Sequence, residues 1–138
     1  MLGGPPNLLV GLGLALLYPI LAKGASRTAK AGYALTLTGL VIPALADLFV
    51  WRALGPPFLV PVVGMGLILL AGGHWHNPRL HRQFLNLLVV IGVLQLTAFV
   101  LFIIPLDISD QFGGYRIAGF FAYFLTGATW IALGVKTR

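Results

Sequence analysis

Three histidines fall close together in the run Gly73-His74-Trp75-His76-Asn77-Pro78-Arg79-Leu80-His81-Arg82. Imidazole binds zinc, copper or nickel, and a His-x-His pair followed by a third His has the pattern of a surface metal clip. No cysteine or carboxylate within the run completes the set. A zinc site also needs its ligands held by rigid elements and by hydrogen-bond partners of their own. Haem ligation by two histidines asks for imidazoles on facing helices, whereas His74, His76 and His81 share one stretch. A haem shared with a neighbouring subunit meets that requirement, and a quinone-dependent redox role belongs to the same group of readings. Histidine also titrates near neutral pH, so the run could sense protons. The plainer reading is a basic connection, with Arg79 and Arg82, that meets lipid phosphates or a partner protein.

Elsewhere the chemistry rests on single polar residues inside apolar runs. Asp47 is the most informative. A carboxylate in a membrane-spanning helix costs about 2.5–3.5 kcal/mol at the bilayer centre and less near the end. Helical spacing places it on one stripe with Thr36, Leu40, Pro43 and Leu54, a stripe expected to face a bundle interior. It reads as a proton or cation site, as an anchor for a polar group, or as a carboxylate paired with an arginine. Arg52 lies about 140° around the same helix and is a poor partner; Arg116 is a better one. Gln95 sits at the middle of another apolar run. Its amide reads as a bond between helices, or as a contact to a quinone-like or carbonyl-bearing ligand. Thr126 and Thr129 read the same way.

The elements that must position these residues follow from composition. The chain has 138 residues, 59% hydrophobic and 9% charged, with a mean hydropathy of +0.97. A soluble fold of this size cannot hide so much apolar surface. The expectation is an all-α polytopic integral membrane helical bundle. About 20 apolar residues cross the hydrocarbon core as a helix, and five runs suit, at about residues 5–22, 32–54, 58–75, 84–106 and 116–135. The third is short; a re-entrant version would leave four crossings. The runs are continuous rather than alternating, which excludes a β-barrel.

Five spans put Lys23, Arg27, Lys30, Arg79, Arg82, Lys136 and Arg138 on one side and only Arg52 and Arg116 on the other. The positive-inside rule then sets the N-terminus outside and the C-terminus in the cytoplasm. The expected location is a prokaryotic cytoplasmic membrane. Lys23, Arg27, Lys30, Arg79 and Arg82 become lipid-headgroup contacts. The acids, Asp47, Asp107 and Asp110, fall on the outer side, opposite the histidines across a core about 30 Å thick. That separation excludes a Ser–His–Asp triad.

Other classes fall away. The net charge is +6, but no basic stretch is long enough to track a phosphate backbone, so nucleic acid is not an expected partner. The absence of cysteine excludes disulfides and thiolate chemistry. No glycine-rich phosphate loop occurs. Gly11 with Ala15, Ala118 with Ala122, and Ala128 with Ala132 form small-xxx-small pairs that mark close packing. The expected function is a non-catalytic subunit or accessory protein of a larger membrane assembly, of respiratory or photosynthetic type. The alternatives are an oligomeric carrier, channel or ligand-binding bundle using Asp47, Gln95, Thr36 and Arg116, and a metal, haem or quinone protein using the histidine run. Membrane lipids and membrane protein partners or further copies of the chain are the expected company; the residues specify no cofactor.

Overall fold

The computed structural model describes residues 4–49, 59–103, 124–125 and 128. Among them every regular element is an α-helix. The first, α1, covers Gly4–Leu16, with Pro5 and Pro6 in its first turn, where a missing N–H does no harm. The expected single run to residue 22 is divided. Pro19 has no amide to continue the ladder, so the chain turns at Leu17 and a short α2 covers Tyr18–Leu21. Gly24, at φ +74°, then reverses the chain through a conformation open to glycine.

The helix α3 covers Arg27–Phe49 and continues through Pro43. It starts well before the expected residue 32. Ser26 caps it, its Oγ accepting a 3.1 Å bond from the Ala29 amide. Charged Arg27 and Lys30 therefore ride on the first turns instead of lying in a loop. Helix α4 covers Val60–Gly73, 14 residues. It is shorter than the expected 58–75 because the His74 amide closes back on the Ala71 and Gly72 carbonyls. Helix α5 covers Arg82–Ile103 against an expected 84–106. Of the fifth expected run only Phe124, Leu125 and Ala128 are described, each helical.

Two of these helices are long and apolar enough to cross a membrane, over Arg27–Ala46 and Arg82–Val100; Asn7–Leu16 and Val60–Gly73 are apolar but shorter. Five crossings exceed what the described helices reach by length.

Glycine decides how the helices pack. Helix α4 is central and antiparallel to both α3 and α5. A Cβ on Gly32 would land 2.6 Å from the Gly66 carbonyl oxygen and nearer still to the Leu70 amide. One on Gly39 would meet Val63, and one on Gly73 would lie 2.6 Å from the Ala29 Cα. On its other face Gly64 meets Gly92 of α5, with a Cβ only 2.8 Å from the Gly92 carbonyl oxygen. Backbones touch along both seams, which maximises dispersion contact between the helices. Helix α1 packs on α3 through Gly11, against Leu40 and Val41. Of the small pairs read in the sequence, Gly11 is used and Ala15 is exposed; Ala118, Ala122 and Ala132 lie outside the described residues. Leu14, Leu40, Leu67, Leu70, Leu85, Leu88 and Ile91 fill one continuous core between the seams.

Large apolar side chains also cover the outside. Leu9, Leu12 and Leu16 of α1 are 70%, 57% and 72% exposed. Ile42, Leu45 and Phe49 continue the pattern on α3, and Val90, Val93 and Val100 on α5.

Candidate functional site

The α2–α3 turn and the α4–α5 turn meet at one end of the bundle, and Asn77 joins them. Its Nδ2 donates to the Lys23 carbonyl at 3.0 Å and contacts His74 Nδ1 at 3.2 Å. Its Oδ1 accepts from the Arg79 amide at 3.1 Å. The two amide protons of Asn77 are thereby both assigned, so His74 Nδ1 is the acceptor and its proton sits on Nε2. Gly24 packs directly on the Asn77 amide, so the positive-φ turn and the clamp depend on one another.

His74 is 1% exposed. Its Nε2 has no partner at hydrogen-bonding geometry among the described residues, although the nearby Leu21 backbone offers partial compensation. Burial lowers the imidazole pKa below its ordinary 6.5, and the Leu21 backbone pulls the other way. The folded chain holds His74 neutral while the unfolded chain takes up the proton more readily. The stability this contributes is complete above about pH 6.5 and is lost as pH falls through that value toward the folded pKa. Thermal unfolding in mild detergent is therefore expected at a lower temperature at about pH 5 than at about pH 8, and His74→Gln is expected to flatten that difference. An unchanged pH profile in the variant would contradict the buried neutral imidazole.

The other two histidines do not join it. His76 and His81 are exposed, and His81 Nδ1 accepts from the Gln83 amide at 3.3 Å. No group of three His, Cys, Asp or Glu positioned to hold a metal occurs among the described residues. The expected metal clip of His74, His76 and His81 is therefore not assembled: one imidazole faces the core and two face outward.

The basic residues do gather. Lys23, Arg27, Lys30, Arg79 and Arg82 are all exposed on or beside the two joined turns. The Arg82 guanidinium lies 5.3 Å from the Trp75 ring centre, a cation–π distance. Between the turns runs an open groove of about 670 Å³, lined by Ser26, Gly73, His76, Asn77 and Arg79 among others. A separate pocket of about 200 Å³ lies against Tyr18, Lys30, Tyr33 and Leu70. There the Tyr18 and Tyr33 rings stand 5.1 Å apart.

The interior candidates stand apart from this end. Thr36 is buried, and its hydroxyl donates to the Gly32 carbonyl of its own helix at 2.8 Å. It packs against Gly66 of α4. Gln95 is 3% exposed beside Gly64, and its Oε1 has no hydrogen-bond partner among the described residues. Asp47 falls in α3, but its side chain lies outside the described residues, as does Arg116, so their pairing is not described. Asn7 on α1 was missed by the sequence reading. It is 6% exposed and its Oδ1 is also without a partner. Its signal was available: it is the lone amide in the first apolar run.

Comparison with protein-family models, with curated proteins and with solved structures gives no match.

Proposed function

We propose that this protein is a non-catalytic integral membrane protein that serves as an accessory subunit of a larger membrane assembly. The observation that carries the reading is the apolar exterior: leucines more than half exposed along α1, with further rows on α3 and α5. Rows of that size need lipid or protein around them. The two long helices are matched to a bilayer in length and composition. In the proposed arrangement the chain crosses five times, with the N-terminus outside. Helix α4 is about 21 Å long at 1.5 Å per residue, less than the core thickness. It lies between α3 and α5, and backbone at its ends is tolerated where neighbouring helices cover it.

The joined basic turns favour one orientation. Lys23, Arg27, Lys30, Arg79 and Arg82 share one end of the bundle, and the positive-inside rule assigns such an end to the cytoplasm. An accessory role is favoured over catalysis because, among the described residues, the buried polar groups are scattered singly: Asn7, Thr36, His74 and Gln95 sit on separate stretches of helix and turn.

Native mass spectrometry on protein extracted mildly from its own membrane tests the role. Further chains in fixed stoichiometry are the expected result. A lone chain that retains its fold would overturn the accessory-subunit reading.

A further inference from the structure

We infer that the groove between the two basic turns binds a phosphate group, with Arg79 as its principal ligand. The groove, about 670 Å³, is within the size range of small-molecule clefts. Its walls are pinned to each other, since Asn77 bonds the Lys23 carbonyl on one side and the Arg79 amide on the other. Its base is tight, with Gly73 seated directly on the Ala29 backbone. A binding surface held this firmly loses little entropy on engaging a ligand.

Charge selects the ligand. Arg79 lines the groove, and Lys23 and Arg27 flank it on the adjoining turn and helix. Arg82 is already stacked on Trp75, which leaves Arg79 as the lining guanidinium. A guanidinium fork matches the paired oxygens of a phosphate. Among the described residues no acid stands near to neutralise this end. The first turns of α3 and α5 contain none, and Asp47 lies about 30 Å along α3 from Arg27 at 1.5 Å per residue. Ser26 Oγ accepts from the Ala29 amide, so its own hydroxyl proton is available to an anion in the groove. The positive end of the 23-residue α3 starts beside it. His76 stands at the rim as a further donor.

The shared chemistry is a phosphate monoester or diester, carried either by a lipid headgroup or by a soluble molecule. The proposal deepens the membrane reading, on which it rests for placing the groove at the lipid headgroups. It is tested apart from any bilayer, so its failure would leave that reading untouched. The full chain with Trp51→Phe and Trp130→Phe leaves Trp75 as the single indole beside the groove. In maltoside micelles it is titrated with inorganic phosphate and, separately, with dihexanoyl phosphatidylglycerol, and Trp75 emission is read. Saturable binding is expected, weakened about tenfold or more by Arg79→Gln, the loss of one charged hydrogen-bonding partner. Arg79→Lys is expected to recover part of it. Arg52→Gln removes the same charge three positions beyond the far end of α3, which starts at Arg27 beside the groove, and is expected to leave affinity within about twofold, as screened distant charges do. Saturation by both ligands makes phosphate itself sufficient. Saturation by one alone identifies the lipid or the soluble source. Absence of saturation with either, or equal losses in Arg79→Gln and Arg52→Gln, would overturn the site.

Discussion

Gly32→Ala is expected to pry α3 from α4 and lower stability at or above the upper end of the usual overpacking range of about 1–3 kcal/mol. A new methyl here does not meet a side chain that can swing away. It meets backbone: the Gly66 carbonyl oxygen at 2.6 Å, with the Leu70 amide nearer still. The helices must separate along their length, and each neighbouring contact weakens with the first. Gly73→Ala is expected to behave likewise, since its Cβ would strike the Ala29 backbone. Gly72 is the control. Nothing lies within 4 Å of a Cβ there, so Gly72→Ala is expected to be neutral or to gain up to about 1 kcal/mol of helix propensity. Adjacent glycines thus give opposite results in a denaturing-detergent titration. Equal effects at Gly72 and Gly73 would contradict the close α3–α4 seam.

Asn77→Ala is expected to produce a further large loss, about 1.5–4.5 kcal/mol for three hydrogen bonds at roughly 0.5–1.5 each. The Lys23 carbonyl, His74 Nδ1 and the Arg79 amide all lose their partner together. His74 is the most exposed to the change in energetic terms, because a buried ring nitrogen left without a donor bears its full desolvation penalty. Asn77→Asp separates geometry from charge. A carboxylate keeps the acceptor for Arg79 but cannot donate to Lys23 or His74, and it favours protonated His74. The acid sensitivity of folding is then expected to diminish, even as stability at neutral pH falls. Limited proteolysis within the two turns reads the clamp directly: faster cleavage is expected in both turns of Asn77→Ala, not in one. Cleavage confined to the α4–α5 turn would show that Asn77 does not join them.

The glycine seam also shows where sequence reading stops. The apolar runs, their helical nature and the gathering of Lys23, Arg27, Lys30, Arg79 and Arg82 were legible, because bilayer length and charge asymmetry act on composition alone. Run boundaries were less so. Arg27 and Lys30 look like loop on hydropathy, yet Ser26 at the cap starts the helix there. Conversely a turn at Leu17, with Pro19 just after it, divides a run that hydropathy carries unbroken to residue 22. The important glycines, Gly32, Gly39, Gly66 and Gly73, lie on a face defined only once α3 and α4 are set side by side. Gly11 with Ala15 was the more visible pair and contributes only one member.

The candidate site divides in the same way. Three close histidines suggested a common centre, but the helix end at Gly73 turns His74 inward and leaves His76 and His81 outside. Spacing in a turn does not report direction. Asn77 carried no motif, and its importance arises from Lys23, 54 positions away in the chain. Gln95 was read as a bond between helices or a ligand contact; it is buried, and its Oε1 has no partner among the described residues.

In the proposed arrangement the exposed apolar rows face lipid or a membrane partner while the basic turns face water. The chain has no cysteine, so single-cysteine variants report without background. Thr28→Cys marks the exposed start of α3 beside the basic turns, and Val93→Cys marks the exposed apolar face of α5. Reaction with a membrane-impermeant maleimide needs water and a thiolate at the site. In inverted native membranes Thr28→Cys is expected to label rapidly and Val93→Cys to remain unlabelled until the protein is denatured. Labelling of Val93→Cys at the rate of Thr28→Cys in intact membranes would contradict the account.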